Sequence, residues 1–277
     1  MIRSLLIAAL FAGIVGSAAA QNVAYLSASR DSGPWGSQTY KEDFNKVFGE
    51  KGWTESTFEK SDDSLFDPGK TNLLVIEGGD WMADQMAEYI NKNEDRLAKF
   101  VYEGGHLIIN AAPNTGGDIA MFGGAVGLHY GWGDGDKREK DGGSFNFTAT
   151  PNDYSHPIFN GPFGQVKQLD GNYAGHATVW DKTGLFQPLL TGENGGTMLA
   201  QAQFGKGTAF IGGLTTPWTE AYWGSSDQWH TFNQNFLAYS AGDKFVPVTN
   251  AVPEPTSMAF IGLGALALVR RRKARKS

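Results

Sequence analysis

Carboxylates and imidazoles are the side chains of this chain that could perform acid–base chemistry. Glu77 and Asp80 follow one apolar run, Asn110 ends another, and His129 and His230 lie farther along the sequence. Such groups can support hydrolysis or bind a metal ion. However, the five histidines are at least twenty residues apart, and neither an HxH nor an HxxxH spacing occurs. We therefore predict no catalytic residue, no metal site and no cofactor. The possible ligand-binding residues of this group are Glu77, Asp80, Asn110, His129 and His230.

A second group of candidates is aromatic. Trp218, Trp223 and Trp229 lie close together in the sequence with Tyr222 and His230. Aromatic faces can stack on sugar rings, so Trp218 and Trp223 are candidate carbohydrate-binding residues. The same residues can also pack beneath a loop as part of the core, because large aromatic rings dominate protein interiors. The sequence leaves both interpretations open.

The C-terminus carries a short motif suited to recognition by a processing enzyme. It consists of four residues: Val252, Pro253, Glu254 and Pro255. Proline does not continue a helix, and it holds the preceding residue in an extended conformation. An extended segment of this kind is the form in which a processing enzyme binds its substrate.

An apolar run and a basic segment follow that motif. The run covers residues 258–269, whereas a full bilayer span requires roughly 20 residues, so we predict a short hydrophobic helix. Basic residues beside such a segment remain on the cytoplasmic side of the membrane. We predict that the apolar run is a membrane anchor in the form of a short transmembrane helix. Its basic flank comprises Arg270, Arg271, Arg272 and Lys273.

The motif, the apolar run and the basic flank, in this order, resemble the PEP-CTERM sorting signal of exopolysaccharide-producing Gram-negative bacteria. The resemblance covers residues 252–277. It implies recognition by an exosortase, transient anchoring in the inner membrane and removal of the tail. The expected destination is the cell envelope, the outer surface or the extracellular matrix, where exopolysaccharide is a possible partner.

The N-terminus also indicates export. Residues 1–20 combine Arg3, an apolar stretch and a final series of small residues, which is typical of a Sec signal peptide. The expected partners are the Sec translocon and signal peptidase, and an uncleaved anchor is the alternative. Removing both ends removes seven basic residues and one acidic residue, so the net charge falls from −6 to −12. Such an acidic surface argues against nucleic acid as a partner.

The elements between the two ends alternate between strands and helices. Strands are predicted at residues 22–28, 72–77 and 106–112, with helices at residues 38–51 and 84–103 between them. Strands alternating with helices favour a parallel sheet that has helices on both faces. Its strand ends should carry the candidate ligand-binding residues, which are Ser27, Arg30, Glu77, Asp80, Trp81, Asn110, Thr215 and Trp218.

The second half of the domain is less regular. Residues 121–164 are rich in glycine and aromatic residues, which predicts an irregular insertion or a small antiparallel patch. Strands are then predicted at residues 185–192, 197–204 and 208–214, and a last helix at residues 227–241. The predicted organisation is a signal peptide (1–20), an α/β domain (21–241), a linker (242–251) and a sorting tail (252–277).

This domain resembles the class I glutamine amidotransferase-like superfamily, especially its ThuA-like branch. The resemblance rests on the order of Glu103-Gly104-Gly105-His106, Ser155-His156-Pro157-Ile158 and the strand pair at residues 197–214. It implies a flavodoxin-like α/β fold with a mostly parallel sheet. The resemblance implies a nucleophilic cysteine just after the strand segment at residues 106–109, where this chain has Asn110-Ala111-Ala112-Pro113, and the chain contains no cysteine. Glutamine hydrolysis by the family mechanism is thereby excluded.

Three functions fit these observations. The first is a non-catalytic envelope or matrix protein that binds carbohydrate. The second is a hydrolase of extracellular sugar derivatives that uses Glu77, Asp80 or His230 as acid or base. The third is a purely structural biofilm component.

Overall fold

A computed structural model of the chain describes residues 22–79, 82–112, 118–130, 146–222 and 226–242. The predicted signal peptide, most of the predicted linker and the predicted sorting tail lie outside these ranges. Among the described residues, no helix combines the length and the apolar character that crossing a membrane requires. The structure therefore gives no support to the predicted transmembrane helix, whose residues 258–269 lie outside the described part.

The described part contains fourteen strands and five α-helices. The strands are β1 (Val23–Ser27), β2 (Trp53–Thr57), β3 (Leu73–Gly79), β4 (His106–Ala112), β5 (Ile119–Met121), β6 (Val126–Tyr130), β7 (Asn146–Pro151), β8 (Asn160–Gly161), β9 (Gly164–Gln165), β10 (Leu169–Gly175), β11 (Ala177–Asp181), β12 (Gln187–Gly192), β13 (Thr197–Phe204) and β14 (Gly207–Gly212). The helices are α1 (Tyr40–Phe48), α2 (Met82–Lys92), α3 (Glu94–Glu103), α4 (Thr216–Tyr222) and α5 (Ser226–Ser240). Short 3₁₀ turns cover Pro34–Gly36, Phe58–Lys60, Asp63–Phe66 and Phe122–Gly124.

Nine of these strands form one mixed sheet in the order β10-β7-β12-β13-β14-β4-β3-β1-β2. The strands from β14 to β2 pair in parallel, and those from β10 to β14 pair antiparallel. Read from the other edge, the parallel strands run β2-β1-β3-β4-β14, which is the flavodoxin-like order 2-1-3-4-5. The predicted flavodoxin-like α/β fold is thus confirmed, and an antiparallel half extends it.

Side chains of successive strand residues enter opposite layers of core. Val75, Ile108 and Phe210 belong to one apolar cluster with residues of α1 and α5. Their neighbours Ile76 and Ile109 belong to the other cluster with residues of α2 and α3. Because strand side chains alternate between faces, these unbroken apolar strands need cover on both sides. The helices on both faces provide that cover.

The single helix predicted at residues 84–103 is two helices in the structure. Asn93, between α2 and α3, has a non-helical backbone (φ −111°, ψ 14°). Its buried side chain donates from Nδ2 to the carbonyl oxygen of Tyr89 at 2.9 Å and accepts from Arg96 at 3.1 Å. Asparagine competes for backbone hydrogen bonds in this way, which interrupts a helix. The predicted helix end at residue 103 is confirmed, because Gly104 caps α3 in the left-handed conformation (φ 119°).

The glycine-rich middle of the chain builds antiparallel structure. Strands β5, β6 and β11 form a three-stranded sheet, and β8 pairs with β9. Strands β7 and β10 instead join the edge of the large sheet. The sequence did not predict β2 or α4, and the glycine-rich loop at residues 131–145 lies outside the described residues.

Candidate functional site

Two polar residues face each other where the central parallel strands end. Glu77 on β3 is the register partner of Asn110 on β4, and both side chains are buried. The Nδ2 of Asn110 donates to Glu77 Oε1 and to the carbonyl oxygen of Leu214, both at 2.9 Å. Its Oδ1 accepts from the backbone N–H of Leu214 at 2.9 Å. One amide therefore fastens the chain that follows β14 to the end of the sheet.

The other oxygen of Glu77 meets a tyrosine. The hydroxyl of Tyr25 donates to Glu77 Oε2 at 2.8 Å, and the ring of Tyr25 stacks on Tyr40 with centroids 4.2 Å apart. Burial raises the pKa of Glu77 to about 7, although the hydrogen bonds from Asn110 and Tyr25 oppose the rise. A carboxyl whose pKa is raised towards neutral pH can act as a general acid or base.

A small cavity adjoins Glu77 between the sheet and helices α1 and α5. Its volume is about 30 Å³, enough for one or two water molecules but not for a sugar ring. Its polar lining comprises Tyr40, Glu77, Asn110, Thr216 and Asn233. In this conformation the site can hold water beside Glu77, and it cannot hold a large substrate.

A second cluster brings together one residue from each of α1, α4 and α5. Asp43 is 0% exposed and Glu220 is 6% exposed, whereas the His230 side chain is 24% exposed. The Nδ1 of His230 lies 2.9 Å from Asp43 Oδ1 and 3.8 Å from Glu220 Oε1. One donor atom from each residue can be chosen so that all three lie within 4.8 Å of one another. Two carboxylates and an imidazole in this arrangement can hold a cation.

Asp43 is held by neutral amides as well as by the histidine. Asn233 donates to Oδ2 at 2.7 Å, and Gln234 donates to Oδ1 at 2.7 Å. His230, Asn233 and Gln234 are spaced i, i+3 and i+4 on α5, so they lie on one face of that helix. The sequence of α5 thus directs three polar side chains towards a single carboxylate.

Glu220 is held much less well. Neither of its oxygens accepts a hydrogen bond of normal geometry from a described residue. The nearby hydroxyl of Thr39 donates instead to the carbonyl oxygen of Pro217 at 3.1 Å. Burial raises the pKa of Glu220 well above its usual range, and the adjacent charge of Asp43 raises it further. The hydrogen bond to Asp43 raises the pKa of His230.

The structure brings together only some of the residues singled out from the sequence. Glu77 and Asn110 contact each other, and His230 lies with Asp43 and Glu220 at the same end of the sheet. His129 lies apart on β6, where its Nδ1 is 2.9 Å from Asp118 Oδ1. Asp80 and Trp223 lie outside the described residues, as does the side chain of Trp218.

Sequence reasoning missed Asp43 and Glu220. Asp43 had a detectable signal, because it lies three residues after Tyr40 and one before Phe44, on the apolar face of α1. A carboxylate at such a position needs a partner. Glu220 had no comparable signal, because α4 itself was not predicted.

Comparison with known proteins bears on the C-terminus. Residues 251–273 match the PEP-CTERM protein-sorting motif. This match confirms the predicted sorting tail. The PEP-CTERM motif indicates an exported protein with an exosortase as its processing partner and a cell-envelope or surface destination. No curated protein sequence matches the chain.

Several solved structures are similar to the chain at low identity. A cytoplasmic protein from Salmonella typhimurium is 11% identical, with 78% of this chain and 98% of that chain covered and a TM-score of 0.45. A putative GMP synthase protein from Thermoplasma acidophilum is 9% identical, with 79% and 95% covered and a TM-score of 0.45. A putative ThuA-like protein from Parabacteroides merdae is 14% identical, with 84% and 92% covered and a TM-score of 0.37. The fold assignment rests on the strand order itself.

The raised pKa of Glu77 predicts a specific dependence of stability on pH. A carboxyl whose pKa rises from 4.5 in the unfolded chain to about 7 in the folded one binds its proton more tightly when folded. Its contribution to the free energy of unfolding is complete below pH 4.5 and is lost as the pH rises through 7. Glu77→Gln should remove this loss, which amounts to about 3 kcal/mol at most.

Urea unfolding of both proteins at several pH values between about 4.5 and 8 measures the difference. The exposed helical residue Glu88 offers a matched control, because Glu88→Gln should leave the pH dependence as in the wild type. If the free energy of unfolding depended on pH in the same way in the wild type and in Glu77→Gln, the raised pKa of Glu77 would be contradicted.

Proposed function

We propose that this chain is exported through the Sec pathway, anchored briefly in the inner membrane and processed by an exosortase. The observation that carries the proposal is the match of residues 251–273 to the PEP-CTERM protein-sorting motif. The basic flank holds the tip of the tail on the cytoplasmic side, so the α/β domain lies on the outer side. The finished protein then resides in the envelope, at the outer surface or in the extracellular matrix of a Gram-negative bacterium.

We further propose that the α/β domain binds rather than reacts, and that its ligand is a carbohydrate such as exopolysaccharide. Two observations support a binding role. The cavity beside Glu77 has only about 30 Å³ of space, and the chain lacks the cysteine of amidotransferases. A sugar would therefore be bound outside this cavity, and Trp218 and Trp223 remain the candidate residues for stacking on its ring.

One observation favours hydrolysis as a second candidate function. Glu77 has a pKa of about 7 and lies beside a water-sized cavity, and such a carboxyl can transfer a proton at neutral pH. In this function a sugar derivative would reach Glu77 only after α1 or α5 had moved. The domain would then act on extracellular sugar derivatives.

The sorting proposal predicts that the proline-rich motif is required for processing. In a host that has an exosortase, replacing Pro253, Glu254 and Pro255 with alanine should leave the chain uncut and in the membrane fraction. The linker residue Pro247 provides a control, because Pro247→Ala removes a proline outside the motif and should leave processing intact. Mass spectrometry of the fractionated protein distinguishes the cut from the uncut chain, and normal cleavage of the triple-alanine variant would refute the proposal.

The carbohydrate proposal predicts binding that depends on Trp218. The purified protein should bind a subset of bacterial polysaccharides on a glycan array, and Trp218→Ala should weaken that binding at least tenfold because a stacking face is lost. Trp180, on the separate three-stranded sheet, is the control, since Trp180→Ala should bind as the wild type does. An array with no signal would remove carbohydrate binding from the proposed function.

The two candidate functions differ in a turnover assay. A panel of chromogenic glycosidase and esterase substrates should give no turnover if the domain only binds. Hydrolysis by the wild type that falls at least a hundredfold in Glu77→Gln would establish the second function instead.

A further inference from the structure

We propose that Asp43, Glu220 and His230 bind one divalent transition-metal ion, with Zn²⁺ as the best-fitting candidate. The site would join α1, α4 and α5 at the carboxyl ends of the parallel strands. It is independent of the sorting function, because its residues belong to the folded domain and lie outside the sorting motif.

The spacing of the donor atoms suits a small ion. Two ligands about 2.0–2.1 Å from zinc, at a tetrahedral angle, lie about 3.4 Å apart. The Nδ1 of His230 lies 2.9 Å from Asp43 Oδ1 and 3.8 Å from Glu220 Oε1, so these two distances bracket that value. Three protein ligands leave a fourth position for water, as in zinc sites that remain open.

Glu220 provides the second and independent indication. Its carboxyl group is buried, and neither oxygen accepts a hydrogen bond of normal geometry from the described residues, although it is directed towards Asp43 and His230. A buried polar group without a partner is costly, and buried charges are normally paired or bound to a metal. A cation between the three side chains would give the Glu220 carboxylate a partner and keep Asp43 ionised.

The charge and the donor types select the class of ion. With the ion bound, Asp43 and Glu220 would both be ionised and supply two negative charges, and the described part of the chain places no lysine or arginine in an ion pair with either one. A divalent cation would balance them. The imidazole favours zinc and other transition metals over calcium and magnesium, which prefer oxygen ligands alone.

The surroundings of the cluster fit a metal site. Asn233 and Gln234 each donate to Asp43 at 2.7 Å, and donors of this kind orient a ligating carboxylate. His230 is 24% exposed, so its side of the cluster is accessible to solvent and an ion can enter there. The competing occupant of the same space is a proton held between Glu220 and Asp43.

Titration calorimetry of the chelator-treated full-length protein with ZnCl₂ tests the proposal. We expect one Zn²⁺ per chain with a dissociation constant in the micromolar range or below. Glu220→Gln and His230→Gln should each weaken binding at least tenfold. The pair His129 and Asp118 is the control, because it has the same 2.9 Å nitrogen–oxygen distance. Among the described residues this pair belongs to no group of three metal-binding side chains. His129→Gln should therefore bind Zn²⁺ as the wild type does.

Two outcomes would overturn the proposal and leave the proton as the occupant. One is the absence of binding up to millimolar Zn²⁺, and the other is equal affinity in the wild type and Glu220→Gln. Should the variants fail to fold, the wild type alone decides through Co²⁺, whose visible absorption reports its coordination. Bands of four-coordinate cobalt with a nitrogen ligand support the site, and the spectrum of hexa-aqua cobalt contradicts it.

Discussion

The burial of three carboxyl groups at one end of the sheet is the constraint on which the arrangement of helices depends. An ionised carboxylate away from water is costly unless donors, a proton or a cation compensate it. The three groups are compensated differently. Asp43 accepts from three side chains on α5, and Glu77 accepts from Tyr25 and Asn110 and has a raised pKa. Glu220 accepts no hydrogen bond of normal geometry from the described residues, and burial raises its pKa so that it retains a proton. Helices α1, α4 and α5 can close over the strand ends only if all three groups are compensated.

Helix α5 also connects this end of the parallel strands to the antiparallel half. Trp229 donates from Nε1 to the carbonyl oxygen of Asp170 at 2.8 Å. Asn235 accepts from the backbone N–H of Phe163 at 3.0 Å and donates to the carbonyl oxygen of Gly164 at 2.9 Å. The face of α5 that carries His230 meets α1, and other residues of the same helix bond to β9, to β10 and to Phe163 beside β9. A change in the group formed by Asp43, Glu220 and His230 can therefore affect the packing of both the parallel and the antiparallel half.

Local sequence pattern predicted much of the parallel half and little of the site. The apolar runs of β1, β3 and β4 are local signals, and they led to the predicted parallel sheet with helices on both faces. The flavodoxin-like fold was implied by the resemblance to the amidotransferase-like superfamily. Strand β2 lies at the edge of the sheet and is only partly buried, so it lacks the apolar run that marks a central strand. Asp43, Glu220 and His230 come from three helices and meet only through tertiary packing, which spacing along the chain cannot reveal. The sorting motif is the opposite case, because its information is entirely local.

The sorting motif concerns where the protein resides. The buried carboxyl groups Asp43, Glu77 and Glu220 concern what its domain does there. The central claim about the domain is that buried Glu77 is neutralised by a proton and buried Glu220 by a proton or a metal ion. Infrared spectroscopy of the metal-free protein near pH 6 tests this claim most directly, because a protonated carboxyl absorbs apart from an ionised one. We predict a protonated-carboxyl band that weakens in Glu77→Gln and in Glu220→Gln and that decreases when Zn²⁺ is added to the wild type. A spectrum with no such band, in which all carboxyls of the metal-free protein are ionised, would contradict it.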